Sequence, residues 1–287
     1  MNFSSLEQSG LGLTADDIGR AFAPFVAREC PPGDPVWARE IPRRRKKLVK
    51  QSARRLLFGE GRRDEAEILN EYDRSWAAND YSGYDLELRP TEGAPWEWRG
   101  RRVLMPDVGG ARFRLLLVGR VIQKLQPKSV LEVGCGNGLN LILLAGAFPD
   151  IAFSGVELTE AGHRQAKFFQ ERAALPPAMQ AFAPFPVRDT TAFKRVTFLQ
   201  GSAAELPLAD GTVDLAYTVL ALEQMERIRP KALAELARVA RRHVLMIEPF
   251  RDVNKGLWDR LNVYRRDYFR GSVEELRQYG LVPELVL

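Results

Sequence analysis

The hydrophobic pattern changes period partway along the chain. From Ser129 onward, short apolar runs alternate with longer stretches whose apolar positions recur every three or four residues. The runs predict strands over Val130–Val133, Ala152–Val156, Val196–Gln200, Val213–Val219 and His243–Ile247. The longer stretches predict helices over Leu139–Phe148, Glu160–Ala174 and Pro230–Arg241. Ser272 with Glu275 makes an S-x-x-E capping box for a short helix, and Leu281–Leu287 reads as a last strand. Strands alternating with helices imply a mostly parallel sheet with helices on both faces.

Before Ser129 the pattern is mainly helical. Thr14 with Asp16 and Asp17 resembles an N-cap and acidic first turn, leading to a helix that ends before Cys30–Pro35. A basic helix follows over Arg43–Phe58, and Asp64 caps another running to Ala78. Residues 81–105, rich in Gly, Pro and aromatics around Trp96 and Trp98, suggest a short hairpin or an ordered loop. Gly109-Gly110 opens an apolar helix over Phe113–Leu125, ended by Pro127. The reading therefore divides the chain into a mainly helical extension, residues 1–108, and an α/β domain, residues 109–287. Two long connections, Leu175–Lys194 and Phe250–Gly271, are expected to be lids or binding loops.

Candidate chemistry concentrates at Val130–Asn140, VLEVGCGNGLN. A glycine loop between a first strand and its helix lets a nucleotide approach the backbone closely. The spacing is G-x-G-x-G, and Leu139 stands where a dinucleotide fingerprint wants Gly or Ala. Glu132 precedes the loop, where a carboxylate suits a cationic ligand better than a pyrophosphate. Glu132–Gly138 resembles motif I of the class I S-adenosylmethionine-dependent methyltransferases. Further segments resemble the same family in order: Gly155-Val156-Glu157-Leu158, Gly201–Pro207, and Asp214–Met225 with its Leu222-Glu223-Gln224 ending.

That resemblance, over roughly residues 110–287, implies a Rossmann-like fold with a mostly parallel seven-stranded sheet. It implies S-adenosyl-L-methionine as cofactor and S-adenosyl-L-homocysteine as product. Glu157 is expected on the ribose hydroxyls and Leu158 on the adenine, with Ser202 in place of the family's acidic residue. Glu132, Gly134, Cys135, Gly136, Gly138, Ala203, Ala204, Thr218 and Val219 complete the implied cofactor site. Glu223 and Glu248, beyond the fourth and fifth strands, are the candidates to touch the acceptor. His163 and His243 read as structural, and no clustered His/Asp/Glu pattern argues for a metal. In the connection Arg251–Arg270, aromatic and basic residues interleave. Trp258, Tyr264, Tyr268 and Arg265 are candidates for contacting substrate there, and an amphipathic helix packed on the sheet is the other reading. Trp96 and Trp98 are placed at the same pocket from the N-terminal side.

Composition then narrows the acceptor. The 287 residues are 45% hydrophobic and 28% charged, and no apolar run approaches the roughly 18–20 residues needed to span a bilayer. The N-terminus has neither the basic head nor the apolar core of a secretory signal. A cytoplasmic, non-membrane setting is therefore expected, with Cys30 and Cys135 unpaired. Residues 1–128 carry 23 Lys/Arg against 18 Asp/Glu, and the remainder 19 against 19. Arg43, Lys47, Lys50 and Arg54 share one helical face, the footprint expected of an RNA methyltransferase gripping phosphates over residues 43–55. The acidic residues from Glu60 to Asp73 can neutralise that face, and the catalytic part is uncharged overall. A binding module without catalysis is disfavoured by the intact glycines, Glu132 and Glu157. The preferred expectation is methyl transfer to an oxygen or nitrogen of a small-molecule acceptor, with the N-terminal extension as a substrate cap. The sequence leaves the oligomeric state open.

Overall fold

The computed structural model describes residues 9–58, 65–78, 86–98, 101–252, 256 and 270–287. Its centre is a parallel sheet of five strands: β4 (Ser129–Val133), β5 (Ala152–Glu157), β6 (Thr197–Gln200), β7 (Val213–Val219) and β8 (Ala240–Ile247). Their spatial order is β6-β5-β4-β7-β8, all neighbours parallel. Strand order reverses at β4, which puts the crevice for a ligand beyond the carboxyl ends of β4 and β7. The seven strands expected from the family resemblance reduce to five among the described residues. Residues 281–287 form no strand; Leu281 and Val286 pack on the core as irregular chain instead.

The two-residue alternation of the strands sorts side chains onto two cores. Val130, Leu215 and Tyr217 face one side, against α5 (Leu139–Ala147) and α6 (Glu160–Phe169). Leu131, Val133 and Ala216 face the other, against α8 (Arg229–Val239). The first core also takes in Phe25, Leu86, Val103 and Met105, so residues from both sides of position 108 share one apolar interior.

The N-terminal part holds helices α1 (Ala15–Phe22), α2 (Pro35–Phe58) and α3 (Glu65–Ala78). It also holds a three-stranded antiparallel sheet of β1 (Arg28–Glu29), β2 (Ala94–Trp98) and β3 (Arg101–Met105), in the order β1-β3-β2. The expected hairpin is β2–β3, and β1 is an addition. α1 opens with a full capping box between Thr14 and Asp17. α2 begins eight residues before the basic run, because Asp34 accepts from the amides of Val36 (3.0 Å) and Trp37 (3.3 Å) and Pro35 sits in the first turn. α4 (Asp107–Leu125) carries Gly109 and Gly110 inside its first turn. A Cβ at Gly110 would lie 2.7 Å from the ring of Trp96, so the glycine allows the indole to seat on the helix.

Between α6 and β6, the connection 175–194 is core rather than lid. It contains α7 (Pro177–Phe182), whose Met179 and Phe182 are buried, and Phe182 meets Phe25 edge-on at 6.1 Å. Arg188 N–H returns to Gly146 O of α5 at 2.8 Å. Phe182→Ala should therefore lower the free energy of unfolding by about 3–5 kcal/mol, the usual cost of emptying a buried aromatic site. A urea titration monitored by circular dichroism measures it, and a shift near zero would return this segment to the role of a surface lid.

Candidate functional site

A cleft of about 970 Å³, counted with its open mouth, lies beyond the carboxyl ends of β4, β5 and β7. Gly134 and Gly136 form one wall, Glu157 and Leu158 the next, and Gly201, Ala203 and Val219 continue it. Glu157 is the only carboxylate among the lining residues and Arg227 the only guanidinium.

The glycine loop is pinned by its own neighbours. The amides of Gly134 (2.8 Å) and Cys135 (3.2 Å) donate to Val156 O, and Gly138 N–H donates to Cys135 O at 2.8 Å. Gly136 N–H donates to Glu157 Oε2 at 2.8 Å, and Leu139 N–H to Asn137 Oδ1 at 3.3 Å. A phosphate-binding loop aims its amides at the ligand. Here the amides at 134, 135, 136, 138 and 139 are all engaged within the protein. The loop therefore does not present these amides as a phosphate cradle.

Glu157 is the hinge of this arrangement. Its Oε1 also accepts from Thr159 N–H (2.9 Å) and Thr159 Oγ1 (2.7 Å). Three of its roughly four lone-pair positions are filled, and the residue lines the cleft.

Glu132 does not line the cleft. It lies beneath the loop, 2% exposed, accepting from Asn140 Nδ2 (2.7 Å) and the Tyr217 hydroxyl (2.9 Å). The reason is register: Glu132 pairs with Tyr217 across β4 and β7 and shares the inward face of Val130. Burial raises its pKa to about 8, against the two hydrogen bonds that favour the ionised form. Cys135 is likewise buried, its thiol pushed well up by desolvation, so it is a packed loop residue rather than a reactive one.

Other expected site residues fall on either side of the wall. Ala203 and Val219 line the cleft, whereas Ser202, Ala204 and Thr218 do not. Ser202 Oγ accepts from Ala204 N–H at 3.1 Å, closing the local turn. Glu248 accepts from the amides of Ala221 (3.0 Å), Leu222 (3.1 Å) and Glu223 (3.2 Å), and burial raises its pKa to about 7. It therefore shapes the loop after β7 from behind. Glu223 shares its Oε1 with Gln224 Nε2 at 3.0 Å, and Gln224 lines the cleft. Trp258, Tyr264, Tyr268 and Arg265 lie outside the described residues. Trp96 stands on α4 at Gly110 rather than on the cleft.

Sequence reasoning predicted the helix ending at Ala78 but missed that α3 lines the cleft. Leu69, Tyr72 and Trp76, spaced i, i+3, i+7 on one helical face, line the cleft opposite the strands. A Cβ at Gly136 would lie 2.5 Å from the Trp76 ring, so the indole rests directly on the loop, which takes φ of +55° there. Asp73 fastens α3 by accepting from Ala161 N–H of α6 at 2.8 Å. The periodicity of these three residues was the available signal. Leu220, also in the cleft, holds φ of +51°, a strained conformation for a non-glycine residue that no sequence pattern announced.

Comparison with known proteins agrees with this geometry. A family model described as a methyltransferase domain matches residues 131–247, from β4 to β8. An O-methyltransferase, rstn1, of Aspergillus nomiae is 27% identical over 43% of this chain and 47% of its own length. Among solved structures, YcgJ from Bacillus subtilis aligns at 24% identity over 44% of this chain and 45% of that one, with a TM-score of 0.33. The methyltransferase domain of a bacterial Hen1 protein aligns at 21% over 59% and 80%, with a TM-score of 0.41. The chain spans about half the length of the curated relative it matches. Over residues 131–247 the chain is thus similar to methyltransferase domains.

Among the described residues, no group of three His, Cys, Asp or Glu side chains is placed to hold a metal, and no helix is long and apolar enough to cross a membrane. The buried Glu132 yields a pH prediction. Its raised pKa means the folded chain holds a proton that the unfolded chain releases above about 4.5. Stability should then fall as pH rises from 4.5 toward 8, by up to about 1.4 kcal/mol per unit, and level off beyond. Glu132→Gln, which keeps the shape without the titration, should reduce that slope in urea midpoints, most clearly between pH 7 and 8, because Glu248 adds a slope of the same sign up to about 7. An unchanged slope would show that Glu132 is not its source.

Proposed function

We propose that the chain is a methyltransferase using S-adenosyl-L-methionine and acting on an oxygen or nitrogen of a small molecule. The observation that carries the reading is the closure of the glycine-loop amides on Val156, Glu157, Cys135 and Asn137. Such a loop offers little to a pyrophosphate but leaves a smooth glycine wall for a phosphate-free nucleoside.

The cofactor would be held by the open lone pair of Glu157 at the ribose, by Leu158 and Ala203 at the base, and by Gly134 and Gly136 toward the sulfur. Trp76 and Tyr72 of α3 would cover it. Glu132, Cys135, Gly138, Ser202, Ala204 and Thr218 support these groups from behind. The bound cofactor supplies a methyl group already activated on a sulfonium. The chain's own work is therefore to position an acceptor in line and exclude water. The largely apolar cleft and the roof formed by α3 serve the second task. Of the two carboxylates singled out in the sequence, Glu248 is occupied with three loop amides, so Glu223 is the one left to accept a proton from an acceptor.

A second reading rests on α2, where Arg43, Lys47, Lys50 and Arg54 are all exposed on one face. That surface could meet RNA phosphates, making the acceptor a nucleic acid. The uncharged cleft region and the single exposed helix favour the small molecule. Binding of short RNA measured against salt decides: a steep loss of affinity with rising salt supports RNA, and a flat response rejects it.

Calorimetry with S-adenosyl-L-methionine should give one site per chain. Glu157→Ala, which removes the ribose acceptor and the Gly136 tether together, should weaken it at least about tenfold. Absence of binding by the wild-type chain would sink the assignment.

A further inference from the structure

A second cavity, about 940 Å³ with its opening, lies between the N-terminal part and the start of α5. It shares no lining residue with the cofactor cleft, yet Leu139 in its wall directly follows Gly138 of the glycine loop. Phe25, Leu86, Val108, Ala111 and Leu139 make it largely apolar. Two cations line it: Arg89, which pairs with Glu87, and Arg114, from the middle of α4.

Arg114 differs from the other half-buried arginines. Arg112, two residues before it, donates to Phe182 O (2.8 Å) and Ala21 O (3.2 Å). Arg229 pairs with Glu226 and Glu275, and Arg238 with Glu235 and Asp210. Arg114 makes neither a hydrogen bond nor an ion pair among the described residues. Desolvation lowers its pKa, and Asp107 and Glu223 act on it only at longer range. Leaving a guanidinium half out of water without a partner is costly, and a bound anion removes that cost.

We propose that this cavity receives the methyl acceptor, and that the acceptor carries a carboxylate, which Arg114 binds while an apolar body rests on Phe25, Leu86, Val108 and Leu139. The inference rests on the methyltransferase reading. The planar guanidinium fits two oxygens of one carboxylate. Of the other charged groups in the wall, Glu87 is paired with Arg89 at 3.4 Å and Asp107 is exposed. Glu223 lies within electrostatic reach of Arg114.

The probes are benzoate and its neutral analogue benzamide, titrated into the full chain by calorimetry with and without S-adenosyl-L-homocysteine. Wild type should bind benzoate at least about tenfold more tightly than benzamide. Arg114→Met should abolish that preference while leaving the melting temperature and the affinity for S-adenosyl-L-homocysteine unchanged. Arg114→Lys should restore part of it. Equal binding of the two probes, undetectable binding of benzoate, or a preference that survives in Arg114→Met would overturn the proposal. So would loss of S-adenosyl-L-homocysteine binding in Arg114→Met, which would assign the guanidinium to the cofactor's own carboxylate. If wild type fails to bind S-adenosyl-L-homocysteine, the methyltransferase reading fails, and the ligand-free titration still decides the carboxylate site.

Discussion

The site depends on where the glycine loop directs its amide hydrogens. The same turn that cradles phosphate elsewhere is here turned inward, onto Val156 O and the carboxylate of Glu157. One residue, Glu157, thereby joins the end of β5, the glycine loop and, through Thr159, the start of α6. With three of its roughly four lone-pair positions committed, one is left on a residue that lines the cleft. Whether such a loop can cradle a phosphate is therefore a matter of hydrogen-bond accounting rather than of glycine content.

Three buried or half-buried carboxylates around the cleft divide into separate tasks by burial and partner. Glu132, with Asn140 and Tyr217, braces β4 against β7 and α5 from inside the core. Glu248 orders the loop after β7 by accepting its amides. Both have raised pKa values because desolvation outweighs their hydrogen bonds. Only Glu157 both touches the loop and opens to the ligand space.

The N-terminal part completes the site instead of standing beside it. α3 lays Trp76 on Gly136 and reaches α6 through Asp73, while Phe25, Leu86 and Met105 join the main core. The second cavity exists only where these residues meet α4 and Leu139. The roof of the cofactor cleft and the acceptor cavity we infer both come from residues that the methyltransferase domain match does not include.

Local pattern determined the strands, since a buried parallel strand needs a run of apolar side chains whatever surrounds it. Val213–Val219 was legible to the residue, and β4, β5, β6 and β8 to within a few. G-x-G-x-G with Glu157 was legible for a related reason: a turn with positive φ and an acid at a strand end are demands of the backbone itself. The fate of Leu281–Leu287 and of residues 175–194 was not, because an apolar segment packs equally well as strand, helix or irregular chain until neighbours choose. The same holds for charge. Sequence could count Glu132, Glu248 and Arg114, but ionisation and partnership are set by what folds around them. Tertiary structure alone decided which carboxylate lies under the loop, which one holds it, and which cation is left facing an empty apolar wall.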